Sequence, residues 1–243
     1  GVMISILNMN INSNFAIFEI GTNNFNEIRD LTKLVKPSQI FITNILSTHL
    51  ENFKNKKNIA KEKSDIFNKI YNPFAKILYF HMNSKSEQLI KDIAEKQKIK
   101  IIIKIGNKDV DCYIKNVKFE KTYYKISLKI LNKKITIFLN EYNEYQINNL
   151  IFIITFFNFN KIDKNIIIKN VNNIPLINGR GSIHEIILNG FHNQLVDQSY
   201  NANPETMIQT IKSFSKIKKN DFNKILIIGN MNELGSKSIN FHF

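Results

Sequence analysis

Apolar segments alternate with amphipathic segments over the first hundred residues, and this alternation limits the folds that the chain can adopt. Short apolar runs typical of buried strands lie at 15–21, 39–45, 75–81 and 100–106. Apolar residues at helical spacing lie between them, at 26–36, 57–71 and 86–97. Strands that alternate with helices pair in parallel, because each helix returns the chain to the start of the next strand. The pattern predicts an α/β fold with a mostly parallel central sheet flanked by helices.

The middle of the chain has a different period. Residues 109–139 alternate apolar and polar side chains around an Asn-Lys-Lys turn, which predicts an antiparallel β insertion built from hairpins. An apolar helical segment follows at 144–157. We assign residues 1–176 to this central domain.

A second domain is predicted after a short segment rich in turn-forming residues. Residues 174–182 contain one proline and two glycines, which mark a domain junction. Two apolar runs, a helix from Pro204 to about Lys216 and a further strand at 224–230 come next. Residues 177–243 are therefore expected to form the start of a second, Rossmann-like α/β domain.

The composition excludes several classes of protein. The 243 residues contain one cysteine, Cys112, which excludes an internal disulfide and a cysteine-rich metal site and fits a reducing cytoplasm. No apolar run approaches the ~18 residues that a membrane-spanning helix needs, and no secretory signal is visible. We expect a cytoplasmic protein without membrane insertion.

The chain is strongly basic, with a formal net charge of +14. A basic surface can bind nucleic acid or anionic ligands. The lysines are scattered, however, and the chain is rich in Ile, Asn and Phe and has no Trp, which is typical of AT-rich coding bias. We favour a solvated lysine surface without nucleic-acid binding, and a basic nucleic-acid-binding protein remains an alternative.

Polar residues stand at the ends of predicted strands, where open α/β sheets bind their ligands. Glu19, Asn44 and Asp197 each end a predicted strand, and Gly229 and Asn230 end another. A carboxylate in this position is suited to hold Mg²⁺ together with a phosphate. The alternative for Glu19 is that its side chain caps the following helix.

The segment L-V-D-Q-S-Y-N-A-N-P carries a signal for the start of a helix. Pro204 suits the first helical turn, and Asn203 suits the N-cap. The free N–H groups of this helix end favour anions and polar ligands, and they would follow Asp197 closely. Capping accounts for Asn203 but leaves Tyr200 and Asn201 unexplained.

Six segments, taken in order, resemble the characteristic segments of the Mur ligase family. They are F-E-I-G-T-N-N-F-N-E-I, T-N-I-L-S-T-H-L-E-N-F, I-A-K-E-K-S-D-I-F, N-G-R-G, V-D-Q-S-Y-N-A-N-P-E-T-M and L-I-I-G-N-M-N-E-L-G-S-K-S. The fifth segment is similar to that of the members that add D-alanyl-D-alanine. The sister ligases and the folylpolyglutamate synthases have histidine-containing turns there.

This resemblance implies an ATP-dependent amide-bond ligase of peptidoglycan precursor synthesis. Its substrates would be UDP-N-acetylmuramoyl-tripeptide and D-alanyl-D-alanine, and its cofactors would be ATP and Mg²⁺. ATP would phosphorylate the peptide carboxylate, and the amine of D-alanyl-D-alanine would then attack the acyl phosphate. The resemblance leads us to expect a monomer.

The same resemblance implies roles for ten residues. The metal ligands would be Glu19, His49 and a carbamylated Lys63. Arg180 would meet the transferred phosphate, and catalysis would depend on it together with Lys63 and His49. By position alone, a lone histidine is usually structural and a helical lysine is usually on the surface. The nucleotide and the cleft between the domains would be contacted by Asn44, Asn149 (adenine), Asp197 (ribose), Tyr200, Asn201 and Asn203.

The chain departs from the family pattern at several positions. Asn24 stands where the family has His, Asn26 where it has Gly, and Asn230 where it has Asp. In the segment N-E-Y-Q-I-N-N, Tyr145 replaces a histidine and only Asn149 survives. We therefore expect the residues that would contact adenine to depart further from the family pattern than the metal ligands do.

The family's phosphate-cradling loop, G-x-x-G-K-S/T, lies upstream of the Glu19 segment, and this motif does not occur in the chain. We therefore expect a fragment that lacks the N-terminal domain, the phosphate loop and most of the C-terminal domain, with weak or no ATP turnover by itself. Another Mur or folylpolyglutamate-type ligase and a decayed homologue with a binding role are the alternatives within the superfamily.

Overall fold

The fold is taken from a computed structural model of the 243-residue chain. It describes residues 1–82, 85–107, 109–140, 144–163, 165–174, 177–216 and 223–242, and it leaves out the side chains of 85, 144–146 and 216. The chain divides into two units, each of which is described by itself. Unit 1 contains Gly1–Ile45 and Asn55–Asn172, and unit 2 contains Leu46–Lys54 and Asn173–Phe243. The domain boundary was predicted between residues 176 and 177, and residues 175 and 176 lie outside the described residues.

Unit 1 is built on a six-stranded sheet. Its strands are β1 (Gln39–Ile42), β2 (Ile77–His81), β3 (Ile101–Ile105), β4 (Cys112–Glu120), β5 (Tyr123–Ile130) and β6 (Lys133–Leu139), in that spatial order. The first four strands pair in parallel, and the last two pairings are antiparallel. The predicted α/β sheet with an antiparallel β insertion is confirmed.

Four of the helices described in unit 1 match predicted helical segments, and the first and last were not predicted. The helices of unit 1 are α1 (Val2–Leu7), α2 (Glu27–Val35), α4 (Lys56–Ser64), α5 (Lys85–Lys96), α6 (Glu144–Phe159) and α7 (Asn165–Asn170); α3 (Leu50–Phe53) belongs to unit 2. Helix α2 ends before Pro37, because proline has no N–H to continue the helix and restricts the residue before it. Helix α4 is shorter than expected, since a 3₁₀ turn at Asp65–Phe67 replaces its predicted last part.

The core of unit 1 lies around β2 and the antiparallel strands. All five residues of β2 are buried. The Tyr79 ring stacks on Phe41 with centroids 4.5 Å apart, and its hydroxyl donates to Gln39 Oε1 at 2.8 Å. The apolar face of α6, with Ile147, Ile151 and Ile154, belongs to the same core. Each such side chain contributes about 1.5–3 kcal/mol when it leaves water, so this cluster holds the sheet together.

The described residues of unit 2 form a β-hairpin and three α-helices. The hairpin joins β7 (Ser182–Leu188) to β8 (Phe191–Asp197) in antiparallel register. Its two turn residues, Asn189 and Gly190, both have positive φ, as a type I′ turn requires. The other helices are α8 (Pro204–Lys216) and α9 (Ser238–His242). The helix predicted to start at Pro204 is confirmed, and the two apolar runs before it form the two strands of this hairpin.

Two predicted strands do not form, at 15–21 and at 224–230. Ile17 and Ile227 in these segments are 87% and 88% exposed. A strand needs a neighbouring strand to satisfy its main-chain N–H and C=O groups, and no described strand pairs with either segment. Glu19, Gly229 and Asn230 therefore do not stand at strand ends, and that prediction is wrong. Asp197 does end a strand, β8, as predicted.

Two further observations apply to the residues that the structure describes. None of their helices is both long enough and apolar enough for a membrane span. Cys112, at the start of β4, is free and buried.

Candidate functional site

Helix α4 places Lys63 where its amino group is surrounded by protein. The Nζ atom donates to the main-chain oxygen of Asn44, just beyond the end of β1, at 2.9 Å. Burial of the amino group lowers the pKa of Lys63 because a charged amine loses its hydration there. The structure thus brings together two predicted site residues, and it gives Lys63 an environment unlike that of a surface lysine.

The neighbouring residue, Glu62, is a buried carboxylate that the sequence did not reveal. It accepts hydrogen bonds from Asn26 N at 2.8 Å and from Ile28 N at 3.0 Å, and Thr22 Oγ1 lies at 3.4 Å. These N–H groups belong to the start of α2, where the first turn of a helix has no internal acceptors. A glutamate beside lysines in α4 has the sequence pattern of a surface residue, so only the tertiary contact identifies it.

A second carboxylate, Glu27, binds the turn in which Asn24 and Asn26 depart from the family pattern. It accepts Asn23 N at 2.7 Å, and its other oxygen accepts the Asn24 side-chain amide at 3.0 Å. The hydrogen bond from Asn23, followed by that from Asn24, lowers the pKa of Glu27. Asn26 takes φ 73°, a conformation that asparagine tolerates better than most residues. The asparagines that replace the family's His and Gly therefore fit this turn.

Glu19 and Asn149 are not joined to this cluster by any described contact. Glu19 is exposed in the segment that does not form a strand. Asn149 lies on α6 and is exposed. The Tyr145 departure concerns a side chain outside the described residues. The roles of Glu19 and Asn149 stay predictions.

In unit 2, His49 lies immediately before α3 with φ 52°. Its ring Nδ1 lies against the carboxylate of Glu233 in a close contact. Nδ1 is buried and has no hydrogen-bond partner among the described residues. The sequence separation of the two residues hides the pairing, and no local pattern could have predicted it.

Arg180 and Tyr200 come together around two glycines. The Arg180 guanidinium lies over the Tyr200 ring, 4.3 Å from its centroid. Tyr200 N donates to Gly179 O at 3.1 Å, and Gly181 N donates to the main-chain oxygen of Asp197 at 2.8 Å. The N-G-R-G segment and the segment after β8 are therefore in direct contact.

The segment after β8 leads into a capped helix. Asn203 Oδ1 accepts Thr206 N at 3.0 Å, which confirms the predicted N-cap of α8. Asn201 Oδ1 accepts Ala202 N at 2.8 Å. Hydrogen bonds from the side chain and main chain of Ser199 hold the pKa of Asp197 below its usual range. Asp197 is thus an ionised acceptor shortly before a helix N-terminus.

In the predicted ligand set, the carboxylate of Glu19 is an oxygen ligand of the kind that Mg²⁺ prefers, whereas the imidazole of His49 and the unmodified amine of Lys63 offer nitrogen. Within the described part of the chain, no three histidine, cysteine, aspartate or glutamate side chains form a group that could hold a metal ion. The metal-ligand assignments of Glu19, His49 and Lys63 therefore stay predictions.

Comparison with known proteins identifies relatives along the whole chain. Residues 1–156 match the family described as Mur ligase middle domain. A UDP-N-acetylmuramoyl-tripeptide–D-alanyl-D-alanine ligase from Rickettsia prowazekii (strain Madrid E) is 28% identical over 246 residues, which cover 100% of this chain and 52% of that protein. The chain thus spans about half the length of the curated relatives that it matches.

Two solved structures share the fold. The crystal structure of MurF from Acinetobacter baumannii has a TM-score of 0.82 and 21% identity, and the match covers 99% of this chain and 50% of the other. MurF ligase from Thermotoga maritima in complex with ADP has a TM-score of 0.74 and 21% identity, with coverage of 92% and 49%.

Proposed function

Because the chain belongs to the Mur ligase family, we propose that it forms the central ATP-binding region and the beginning of the C-terminal domain of a ligase that adds D-alanyl-D-alanine to UDP-N-acetylmuramoyl-tripeptide. The observation that carries this proposal is the similarity over the full chain to a ligase named for that reaction. The turn from Asp197 to Pro204 supports the choice of amine substrate, because it matches the Tyr-Asn-Ala-Asn segment of these enzymes.

The proposed reaction has two steps. An oxygen of the terminal peptide carboxylate attacks the γ-phosphorus of ATP, which forms an acyl phosphate and releases ADP. The free amine of D-alanyl-D-alanine then attacks the acyl carbon, and phosphate leaves as the amide bond forms and the amine loses a proton. Negative charge moves over phosphoryl oxygens in the first step and onto a tetrahedral centre in the second. Fixed cations should therefore supply most of the catalysis.

The residues of the chain have distinct parts in this proposal. Glu19 would hold the Mg²⁺ shared with the ATP phosphates and His49 would hold a second Mg²⁺, and these ions would neutralise charge at the phosphates. Arg180 would bind the transferred phosphoryl group, since its planar fork suits phosphate oxygens. The stacking of Arg180 on Tyr200 supports this role, because it limits the positions that the guanidinium can take.

Lys63 would act as a carbamate. Its neutral amine would attack CO₂, so that an N–C bond forms and the nitrogen loses a proton, and the product carries a carboxylate-like group. The lowered pKa of Lys63 supports this proposal, because the neutral fraction at a given pH exceeds that of an ordinary lysine. The fraction of carbamate should rise as the pH increases through that lowered pKa.

Further residues would contact the nucleotide. Asp197 would bind the ribose hydroxyls, and its ionised state suits an acceptor for two O–H donors. Asn149 would face the adenine, and Asn44, Asn201 and Asn203 would line the nucleotide cleft together with Tyr200. The complex of the Thermotoga maritima relative with ADP supports the use of an adenine nucleotide.

A ligase assay on the full-length gene product tests the proposed function. With UDP-N-acetylmuramoyl-tripeptide, ATP and Mg²⁺, we expect D-alanyl-D-alanine to be consumed in step with ADP release. Single amino acids such as D-glutamate and L-lysine serve as matched amine substrates. Preference for one of these amines, or no ligation with any of them, would contradict the proposal.

A labelling experiment tests the role of Lys63 without turnover. The chain incubated with ¹³C-bicarbonate should show a carbamate carbon signal, stronger at higher pH and absent in the Lys63→Arg variant. Lys69→Arg is the matched control, because burial also lowers the pKa of Lys69. A signal that disappears with Lys69 and persists without Lys63 would refute the carbamate at Lys63.

A further inference from the structure

The antiparallel strands of unit 1 concentrate positive charge. Residues 112–139 contain seven lysines and one acid, so they carry +6 of the chain's formal net charge of +14. The acid, Glu120, forms an ion pair with Lys118 at 3.1 Å. The lysines of this segment, which the sequence spaces several residues apart, lie on the neighbouring strands β4, β5 and β6 and on the turns between them.

The register of these strands sets two pairs of lysines directly opposite each other. Lys118 of β4 is paired with Lys125 of β5, and Lys129 of β5 is paired with Lys134 of β6. Like charges directly opposite on neighbouring strands destabilise a sheet. Negative groups outside the chain would remove this repulsion, so the arrangement favours an anionic partner.

Large apolar side chains are exposed on both faces of the same end of the sheet. Phe119 and Phe138 are 59% and 46% exposed. Phe119 lies opposite Tyr124, which packs against the core of unit 1. Phe138 lies opposite Lys125, the next residue along β5, and therefore on the other face of the sheet, because successive residues of a strand point to opposite faces.

Two tyrosines and a lysine complete this end of the sheet. The ring centroid of Tyr124 lies 4.8 Å from that of Phe119, and the centroid of Tyr123 lies 5.6 Å from that of Phe138. Lys121 is exposed in the turn between β4 and β5. Aromatic rings beside lysines are typical of surfaces at the boundary between water and a membrane, where the rings lie at the level of the lipid headgroups.

An anionic bilayer fits these observations better than a single-stranded nucleic acid does. Successive bases stack on rings along one binding groove, whereas the two exposed phenylalanines lie on opposite faces of the sheet. A hairpin end that enters the headgroup region is surrounded by lipid, so rings on both faces leave water together. The lysines beside the rings would then lie near the negative lipid headgroups.

We propose that the β4–β5 hairpin and the adjoining strand β6 form a peripheral docking surface for anionic phospholipid bilayers. Phe119 and Phe138 enter the headgroup region, and Lys118, Lys121 and Lys125 attract the lipid phosphates. Such docking is reversible and needs no membrane-spanning segment. It is independent of the ligase reaction proposed above.

Cosedimentation of the full-length gene product with lipid vesicles tests the docking. We expect binding to mixed vesicles of phosphatidylcholine and phosphatidylglycerol that added salt weakens. Binding to phosphatidylcholine alone should be weaker by on the order of 100-fold, since each of three lysines near an anionic surface contributes about 5-fold. Equal binding to both kinds of vesicle, or binding to neither, would overturn the proposal. Binding to polyuridylate without binding to the mixed vesicles would assign the surface to nucleic acid and would also overturn it.

A pair of lysine substitutions separates docking from folding. Lys118→Gln with Lys125→Gln removes two charges that repel each other. It should weaken binding to the mixed vesicles about 25-fold and leave the Tm unchanged or higher. Lys96→Gln with Lys100→Gln is the matched control, because both lysines are exposed, lie before β3 and lower the net charge equally. Equal weakening by the two double variants would refute the docking surface, since net charge alone would then explain the binding.

A pair of apolar substitutions tests the contribution of the rings. Phe119→Ser with Phe138→Ser should weaken binding to the mixed vesicles about 10-fold or more, because the rings no longer leave water, and should keep the circular dichroism spectrum. Ile70→Ser with Phe74→Ser is the matched control, since these residues before β2 are 81% and 54% exposed. Unchanged binding in the first variant, or an equal loss in both, would contradict entry of the hairpin end into the headgroup region.

Discussion

Strands β2 and β7 are both rich in apolar residues, but they differ in how many of their residues are buried. All five residues of β2 are buried, whereas Ser182 alone is buried among the seven residues of β7. Strand β2 has a parallel neighbour on each side, whereas β7 pairs with β8 alone among the strands that the structure describes. Apolar composition is therefore common to both strands, while neighbouring strands and covering layers decide whether a strand enters a core.

The same contrast holds for interactions between polar groups. In unit 1, the buried Glu62 satisfies main-chain N–H groups that have no other acceptor in their own helix. In the hairpin of unit 2, the exposed Glu185 accepts the side chain of Gln194 at 2.8 Å, where water can replace either partner. A hydrogen bond to a glutamate should therefore contribute more to the free energy of unfolding at Glu62 than at Glu185.

A matched pair of phenylalanine substitutions gives the largest expected difference. Phe80 in β2 is fully buried, and Phe191 in β8 is 74% exposed. Phe80→Ala should lower the free energy of unfolding by about 3–5 kcal/mol, because it removes apolar contacts and leaves a cavity. Phe191→Ala should change it by less than ~0.5 kcal/mol. Urea denaturation followed by circular dichroism measures both, and similar losses would contradict the contrast.

A pair of glycine substitutions within unit 2 tests where that unit is tightly packed. A Cβ on Gly179 would lie 2.8 Å from Tyr200 N, whereas a Cβ on Gly190 would meet no atom within 4 Å, and both residues have positive φ. Gly190→Ala should cost about 1–2 kcal/mol for its conformation. Gly179→Ala should cost about 1–3 kcal/mol more, because the turn against Tyr200 must move.

Thermal unfolding of the two glycine variants provides the measurement. Amide exchange of Tyr200 shows whether the Gly179→Ala loss is local to this turn. Equal costs at the two positions would mean that the 179–200 contact is no tighter than the hairpin turn.

Removal of Glu62 should have a smaller effect than the loss of a core ring. Glu62→Ala leaves the N–H groups of Asn26 and Ile28 without their acceptor, which should cost about 1–3 kcal/mol. Glu185→Ala is the matched control and should change stability by less than ~0.5 kcal/mol. Faster amide exchange at Ile28 in Glu62→Ala would locate the effect, and unchanged exchange there would argue against the cap.

The smallest expected effect concerns the start of α8. Asn203→Ala removes the cap on Thr206 N and should cost about 1 kcal/mol. Asn201→Ala removes a hydrogen bond to its neighbour only and should cost less. Circular dichroism of the helix content and hydrogen exchange of the Thr206 amide compare the two variants. A larger loss in Asn201→Ala than in Asn203→Ala would contradict the assignment of the cap.

Much of the fold was predictable because the relevant signals are local. The alternation of strands and helices and the start of α8 follow from periodicity and from side chains a few residues apart. The strands expected at 15–21 and 224–230 show the limit of this reasoning, since an apolar run cannot supply its own pairing partner. For the candidate site, the sequence supplied residues through a resemblance, and the structure joined Lys63 to Asn44 and Arg180 to Tyr200.

By itself, the sequence determined most of the order of strands and helices, the cap of α8 and the resemblance to a family. These features depend on neighbours along the chain, so their energies are encoded within short segments. The tertiary structure alone decided that Glu62 is a buried cap and that Glu233 lies against His49. The reason is physical: such contacts join residues far apart in sequence, and only the packing of the chain brings the two groups together and removes water from between them.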